Sequence, residues 1–142
     1  MSKRDDVREI VQYIMTREGI VNTQVKDYLW AALWESNGGE KIPLMVNFLA
    51  AEDCEACRIE IGTALPINSE KVDFVACDKL NRKYRLAKFV ITNNKENQLV
   101  ISGQTFIYVT YKDIDACRDK FLRLFTSIGI IVDDVKKQLR QK

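Results

Sequence analysis

Apolar side chains recur at spacings of three and four in three parts of the chain, which predicts three amphipathic helices. The first begins at Asp5 or Asp6 and ends at Gly19. The last has Thr110 as its N-cap and passes through Gly129 without losing its phase, so we expect one long or kinked helix that nearly reaches the end of the chain. Its apolar positions are Ile114, Cys117, Phe121, Leu124, Phe125, Ile128, Val132, Val135 and Leu139.

The segment from Pro66 to Ile91 is the centre of the predicted fold, because it reads as a capped helix that runs directly into a strand. Asn68 and Ser69 are the N-cap candidates, and the β-branched and aromatic residues of the strand begin at Phe89. The apolar positions of the helix are Val72, Val75, Ala76, Leu80 and Tyr84. One face of this central helix is therefore apolar.

Alternating apolar and polar residues predict strands between the first two helices. Residues 24–36 fit either a helix or a strand, and the turn signal at residues 37–39, Asn-Gly-Gly, favours a strand that ends near Glu35. This strand is expected to form a hairpin with residues 41–51. Pro43 cannot donate a ladder hydrogen bond, so it should lie at a strand end or at an outward-facing edge position.

The remaining strands complete one sheet. A third strand is predicted at residues 58–61, and Pro66 closes that part of the sheet. Strands at residues 89–92 and 98–108 form a second hairpin, in which Gly103 is expected to mark a bulge or a bend. The predicted order is α-β-β-β-α-β-β-α. It indicates an α+β fold with a single antiparallel sheet packed against helices, in one domain that covers all 142 residues.

Composition and charge exclude several classes of function. A net charge of +2 is too small to indicate a nucleic-acid partner by itself. Residues 1–6 are polar and lack the apolar core of a signal peptide, and no window approaches the run of about 18 apolar residues that a membrane helix needs. We therefore expect a cytoplasmic protein without membrane contact.

No arrangement typical of a catalytic site occurs in the sequence. The chain contains no histidine, which excludes a histidine-dependent triad and a histidine-ligated zinc site. Asp133 and Asp134 are interpreted as part of a solvated helix face, and there is no glycine-rich phosphate loop. We therefore expect no enzymatic activity and no cofactor.

Cys54 and Cys57 have the CxxC spacing of redox pairs and of zinc sites. Redox chemistry is disfavoured because the pair lies between two predicted strands among acidic residues, and not at a helix N-terminus. A site with four thiolates would need Cys77 and Cys117, from two different helices, to converge on the pair. The favoured interpretation is structural or incidental thiols, and a metal site is the weaker alternative.

Three aromatic residues are candidates for contact with a partner. Tyr28, Trp30 and Trp34 share a face if their segment is a strand, and they are neighbours on a helix as well. Core packing is the favoured role of the tryptophans, because aromatic residues dominate protein cores. If the face is exposed, it forms an apolar patch suited to a partner chain or to a second copy.

Basic residues crowd the end of the central helix, where Arg82, Lys83 and Arg85 are candidates for binding an acidic partner or a phosphate backbone. A solvated face explains the same residues, because cations interact favourably with the C-terminal end of the helix dipole. The solvated face is the favoured interpretation.

Several segments together resemble the YbjN-type domain family, which is described as a family of bacterial sensory-transduction regulators. They are the strand pair KIPLMVNFLAA and CRIEIGTALPI, the helix and strand VDFVACDKLNRKYRLAKFVI, the hairpin KENQLVISG and the helix that opens at Thr110. The residues that carry the resemblance best are Leu80 and Asn81, followed by a short basic stretch and by residues 87–89, Ala-Lys-Phe. The tryptophan segment and the CxxC pair have no counterpart in this pattern.

The resemblance implies a fold similar to that of the small dimeric chaperones of type III secretion. It also implies a non-catalytic domain that binds a protein or peptide, acts in regulation and forms a homodimer. The alternatives are a secretion-type chaperone for a protein substrate and, from a different class, a nucleic-acid-binding module.

Overall fold

The computed structural model describes residues 3–48, 56–66, 73–92, 98–108 and 114–140, and these contain three helices and six strands. The order of elements is α-β-β-β-β-α-β-β-α, one strand more than predicted. The helices are α1 (Lys3–Arg17), α2 (Phe74–Lys83) and α3 (Ile114–Arg140). The strands are β1 (Asn22–Lys26), β2 (Leu29–Glu35), β3 (Lys41–Phe48), β4 (Ala56–Pro66), β5 (Lys88–Thr92) and β6 (Gln98–Tyr108).

The strands form one antiparallel sheet in the order β1-β2-β3-β4-β6-β5, which confirms the predicted α+β class. Helix α3 packs across the sheet against β2, β3, β4 and β6, and α1 packs against α3. Helix α2 lies along the β5 edge. We call the side of the sheet beneath α1 and α3 the covered face, and the opposite side, on which no described helix lies, the open face.

The covered face carries the core. Alternate residues of each strand point to it, and the apolar stripe predicted for the last helix closes it from above. The helix is continuous through Gly129, as expected. The buried members of the stripe are Cys117, Phe121, Leu124, Phe125, Ile128, Val132 and Val135, and the strand residues beneath include Leu44, Val46, Ile59, Ile61, Leu99 and Ile101.

The turn between β1 and β2 explains the additional strand. Residues 24–36 were expected to form one strand, but the chain reverses at Asp27 and Tyr28, and Tyr28 adopts a left-handed φ of 66°. A tyrosine rarely adopts this conformation, so the sequence contains no turn signal there. Tertiary contacts hold it: the ring of Tyr28 stacks on Phe48, and its hydroxyl donates to Asp5 with an O–O distance of 2.6 Å.

Both turns that contain glycine signals form as predicted. Helix α1 ends in a Schellman motif at Gly19, which has a φ of 70°, with hydrogen bonds from Gly19 to Thr16 and from Ile20 to Met15. The hairpin between β2 and β3 closes through a hydrogen bond from the Ser36 amide to the Glu40 carbonyl. A left-handed Gly39 completes that turn.

Pro43 occupies the position expected for a residue without an amide proton. The partner of Pro43 on β2 is Leu33, whose amide donates to the carbonyl of Val21 and therefore points away from β3. Leu33 and Pro43 are thus a non-hydrogen-bonded pair, in which the backbone groups of both residues point away from each other. The nitrogen of Pro43 therefore points to the side where β4 would lie, but the pairing of β3 with β4 stops at Met45. The proline removes no ladder hydrogen bond.

Two predicted local features were wrong. Helix α2 begins later than expected, because Asp73 is its N-cap and accepts a hydrogen bond from the amide of Ala76 at 2.9 Å. The expected caps Asn68 and Ser69 lie outside the described residues. Gly103 marks no bulge, because its pairing with Ile61 is regular. A Cβ atom there would lie 2.8 Å from side-chain atoms of Leu124 and Ile128, so this glycine makes room for α3.

Asp133 also differs from its prediction as a solvated residue. It is only 8% exposed. The preceding residues Ile131 and Val132 are buried as well, so α3 is covered over a wide arc at this turn. Its Oδ2 pairs with the ammonium of Lys137 at 3.0 Å, and this hydrogen bond raises the pKa of Lys137. Its Oδ1 has no hydrogen-bond partner among the described residues.

Candidate functional site

The open face of the sheet is a surface that no described helix covers. By the strand registers, Leu33 and Pro43 form an apolar pair on β2 and β3, and Ala64, Val100 and Val90 form an apolar row across β4, β6 and β5. The neighbouring row crosses five strands and contains Ala31, Met45, Gly62, Ser102 and, at the β5 edge, Lys88, its one charged residue. Val90 is 42% exposed and Met45 is 37% exposed. The open face is therefore smooth and mostly apolar at its centre.

Charges lie toward the two ends of the open face. Glu35 and Lys41 pair across the β2–β3 hairpin at one end. Arg58 and Glu60 lie on β4 toward the other end, where Glu60 accepts a hydrogen bond from the Gln104 side chain at 3.1 Å. Each end thus carries one carboxylate and one cation.

The predicted aromatic residues lie on the covered face. Trp30 is 1% exposed, its indole ring contacts Phe48, and its Nε1 donates to Gln12 of α1 at 2.8 Å. Core packing, the favoured role, is what the structure shows for Trp30, whose ring offers no surface to a partner. Tyr28 is half-buried, and the guanidinium of Arg8 lies 5.4 Å from its ring centre.

Trp34 is only partly covered. One part of its indole packs against the backbone of α3 at Gly129. The remainder lines a groove of about 430 Å³ with Ile20, Leu122 and Phe125 on the apolar side. Glu18, Glu35 and Lys41 contribute mixed charges to the same groove. A partner-binding role for Tyr28, Trp30 and Trp34 stays a prediction, and Trp34 is the tryptophan with surface available for it.

The basic residues of α2 are exposed and engaged locally. Arg82 pairs with Asp78 one turn earlier at 3.1 Å, and the ammonium of Lys83 lies 5.1 Å from the ring centre of Tyr84. Arg85 is exposed in the turn that follows the helix. Contacts of this kind on an exposed helix contribute little to stability. A partner-binding role for these cations stays a prediction.

Asn81 has a role that the sequence did not reveal. Its side-chain amide forms two hydrogen bonds with the backbone of Phe89 on the edge strand β5: Nδ2 donates to the carbonyl at 3.0 Å, and Oδ1 accepts from the amide at 2.8 Å. The carboxamide therefore replaces a neighbouring strand at this residue. Together with α2, it closes the β5 edge of the sheet against further strand pairing.

We expect Asn81→Ala to lower the free energy of unfolding by about 1–3 kcal/mol, because the part-buried amide of Phe89 loses its hydrogen-bond partner, whereas the carbonyl of Phe89 keeps the Cys77 thiol as a donor. Urea denaturation would measure this loss. Asn81→Asp keeps the acceptor oxygen and removes the N–H donor, so its free energy of unfolding should fall by less than that of Asn81→Ala. A loss below about 0.5 kcal/mol for Asn81→Ala would show that the two hydrogen bonds are not important.

The cysteines that the structure describes give no sign of reactivity. Cys77 and Cys117 are both buried. Burial raises the pKa of the Cys77 thiol, the carboxylate of Asp78 adds to the shift, and the thiol Sγ lies 3.2 Å from the carbonyl oxygen of Phe89. The side chains of the weak metal candidates Cys54 and Cys57 lie outside the described residues. Among the residues with described positions, no cluster of metal-ligating side chains occurs.

Within the described helices, none combines the length and the low polarity needed to cross a bilayer.

Neither a protein-family model nor a curated protein matches the sequence. A chain in the crystal structure of the ExsC–ExsE complex is similar over 92% of this chain and 93% of its own length, with 12% sequence identity and a TM-score of 0.49. At this level the similarity supports neither a family assignment nor a function. The resemblance to the YbjN-type family therefore stays a prediction.

Proposed function

We propose that this chain is a non-catalytic protein-binding domain that forms a homodimer through the open face of its sheet. The observation that carries the proposal is the set of apolar and small side chains at the centre of the open face, over which no described helix lies. An antiparallel sheet commonly has one solvated face, but such a face normally carries polar residues at alternate positions. Here those positions are mostly small or apolar.

The size of the open face fits a protein interface. Six strands spaced about 4.8 Å apart, each with some six residues that rise about 3.3 Å apiece, give a surface of roughly 500 Å². The largest apolar patch of an ordinary monomer has a similar size and often marks an interaction site. Ala31, Gly62 and Ser102 would let a second sheet approach to the usual spacing of about 10 Å.

The charges favour a second copy of the same chain as the occupant. A twofold interface brings a surface against itself, so it must be complementary to itself. Each end of the open face carries one carboxylate and one cation, Glu35 with Lys41 and Glu60 with Arg58. Neither orientation of two packed sheets therefore sets a net charge against one of the same sign. A surface of one sign would repel its own copy.

Met45→Lys should convert the dimer to a monomer. Met45 lies at the centre of the open face, so each of the two copies would bury one lysine in the interface. An unpaired buried ammonium costs several kcal/mol, so we expect the dissociation constant to rise at least about 100-fold. Size-exclusion chromatography with light scattering, over a dilution series, would measure the change.

Ile130→Lys is the matched control for this experiment. Ile130 is 49% exposed on α3, so the same kind of substitution there should leave the dimer intact. Circular dichroism would verify that both variants remain folded. A strictly monomeric wild-type chain at high concentration would refute the homodimer, and a Met45→Lys protein that dimerises as the wild type does would exclude the open face.

The finer assignments rest on the resemblance of the segments quoted above. They are a regulatory role in sensory transduction, a secretion-type chaperone for a protein substrate, and a cytoplasmic location. No arrangement of the described residues favours one of these over another. A nucleic-acid-binding role has no support from the cations of α2, since Arg82 and Lys83 are engaged locally.

A further inference from the structure

Strand β6 extends beyond the strand that pairs with its outer edge. Strand β5 accompanies β6 only from Gln98 to Ser102. On the other side, β4 continues to pair with β6 as far as Tyr108. Within the part of the chain that the structure describes, the stretch from Gly103 to Tyr108 therefore has a neighbouring strand on one side only.

The backbone groups exposed along this edge can be identified from the ladder. The amide and carbonyl of Phe89 point away from β6, because both bond to Asn81. Its partner Ile101 therefore directs its own backbone groups toward β4, and the next residues alternate. The amide and carbonyl of Gln104 and of Phe106 accordingly point to the unpaired side. They are the groups that an added strand would use.

A basic groove of about 350 Å³ lies beside this edge, between β6, α3 and the turn before β5. Besides Gln104, its lining residues are Leu86, Thr105, Lys120, Arg123, Leu124 and Ser127. No carboxylate is among them, and both cations are exposed. Leu86 is 55% exposed and provides an apolar contact beside the cations. The groove next to Trp34 is lined by charges of both signs, so it discriminates less between acidic and basic partners.

We propose that an extended, acidic segment of a partner protein adds to β6 beyond the end of β5. Its backbone bonds to the amide and carbonyl of Gln104 and Phe106, a carboxylate pairs with Arg123, and an apolar side chain packs on Leu86. This mode of recognition combines main-chain hydrogen bonds for affinity with side-chain pockets for specificity. The proposal deepens the proposed protein-binding function, because it assigns the partner's chemistry and leaves the open face to the second copy.

The other edges of the sheet are less suitable for this role. Asn81 already occupies the backbone groups of Phe89 on β5. Strand β1 has an irregular register between Gln24 and Lys26, and irregularity of this kind protects an edge from pairing. The stretch of β6 from Gly103 to Tyr108, which we call the free stretch of β6, has backbone groups that no described strand pairs on its outer side. The charged residues that line the groove beside it are all cations.

The test uses the full chain and a fluorescein-labelled peptide of seven residues. Threonine occupies its odd positions, and glutamate, leucine and glutamate occupy positions two, four and six, so the acidic and apolar side chains share one face. Fluorescence anisotropy should show saturable binding. A peptide with lysine in place of glutamate should bind at least ten times more weakly.

Two variants separate the contributions of charge and backbone. Arg123→Glu should weaken binding of the acidic peptide at least tenfold, and Arg17→Glu, the same change of charge at the exposed end of α1, should not. Gln104→Pro removes the edge amide proton without removing a hydrogen bond to β4, and it should also weaken binding at least tenfold. Thermal unfolding would verify that each variant is folded.

Three results would overturn the proposal. They are no binding of the acidic peptide by the wild type, equal binding by Arg123→Glu, and equal binding by Gln104→Pro. Binding of a single-stranded RNA that depends on Arg123 but not on the Gln104 amide would indicate a polyanion site in place of a peptide site. Light scattering on the same samples tests the homodimer separately, so failure of the edge and failure of the open face can be distinguished.

Discussion

Replacing Trp30 by alanine should lower the free energy of unfolding by about 3–5 kcal/mol. The indole is 1% exposed and fills the space between α1, β2 and Phe48. Truncation leaves a cavity that a close-packed core fills only in part. It also leaves the side-chain carbonyl of Gln12 without the indole donor. Urea denaturation monitored by circular dichroism would measure the loss.

A more conservative variant separates packing from hydrogen bonding. Trp30→Phe keeps an aromatic ring but removes the donor to Gln12, so it should cost less than Trp30→Ala. Tyr13→Ala is the control, because Tyr13 is 50% exposed on the same helix as Gln12, and its removal should change stability by less than about 1 kcal/mol. If Trp30→Ala cost no more than this control, the indole would not belong to the core.

Replacing Gly129 by alanine should destabilise the protein, although alanine is the better helix former. A Cβ atom at this position would lie 2.5 Å from Cγ and 2.7 Å from Cε2 of Trp34, so the helix and the indole must separate. Overpacking of this kind costs about 1–3 kcal/mol, whereas the gain in helix propensity is about 1 kcal/mol. We expect a net loss of up to about 2 kcal/mol in the free energy of unfolding, measured in the same way.

A double-mutant cycle tests the physical reason. In a Trp34→Ala background the clash is absent, and Gly129→Ala should then stabilise the chain by as much as about 1 kcal/mol. The change of sign is the specific result expected from contact between the indole and the helix backbone. An equal destabilisation in both backgrounds would show that the cost comes from another source.

The proposed function depends on how the helices are distributed. Helices α1 and α3 cover one face of the sheet, and α2 with Asn81 closes the β5 edge. The open face remains for a second copy, and the free stretch of β6 remains for an extended partner. A dimer would present two copies of the edge. Two linked sites bind a bivalent partner more tightly than either site alone.

Much of the fold could be predicted because its signals are local. Periodicities of two and of three to four specify strand and helix faces wherever one side is buried, so β6 and the stripe of α3 were predicted correctly. Glycine tolerates positive φ, so Gly19 and Gly39 marked their turns. The class of the fold follows from these elements and their order.

The candidate surfaces could not be predicted, since they depend on contacts between distant residues. The turn at Tyr28 requires Phe48 and Asp5, and without it β1 and β2 read as one segment. Asn81 looks like an ordinary polar helix residue until α2 is placed beside β5.

The sequence by itself determined which residues are apolar, the order of all elements except the division of β1 from β2, and that one antiparallel sheet results. Only the tertiary structure decided which face of that sheet the helices cover and where β6 outruns β5. The physical reason is that strand alternation defines two faces equally well, and burial of one face requires packing partners that lie far away in the chain.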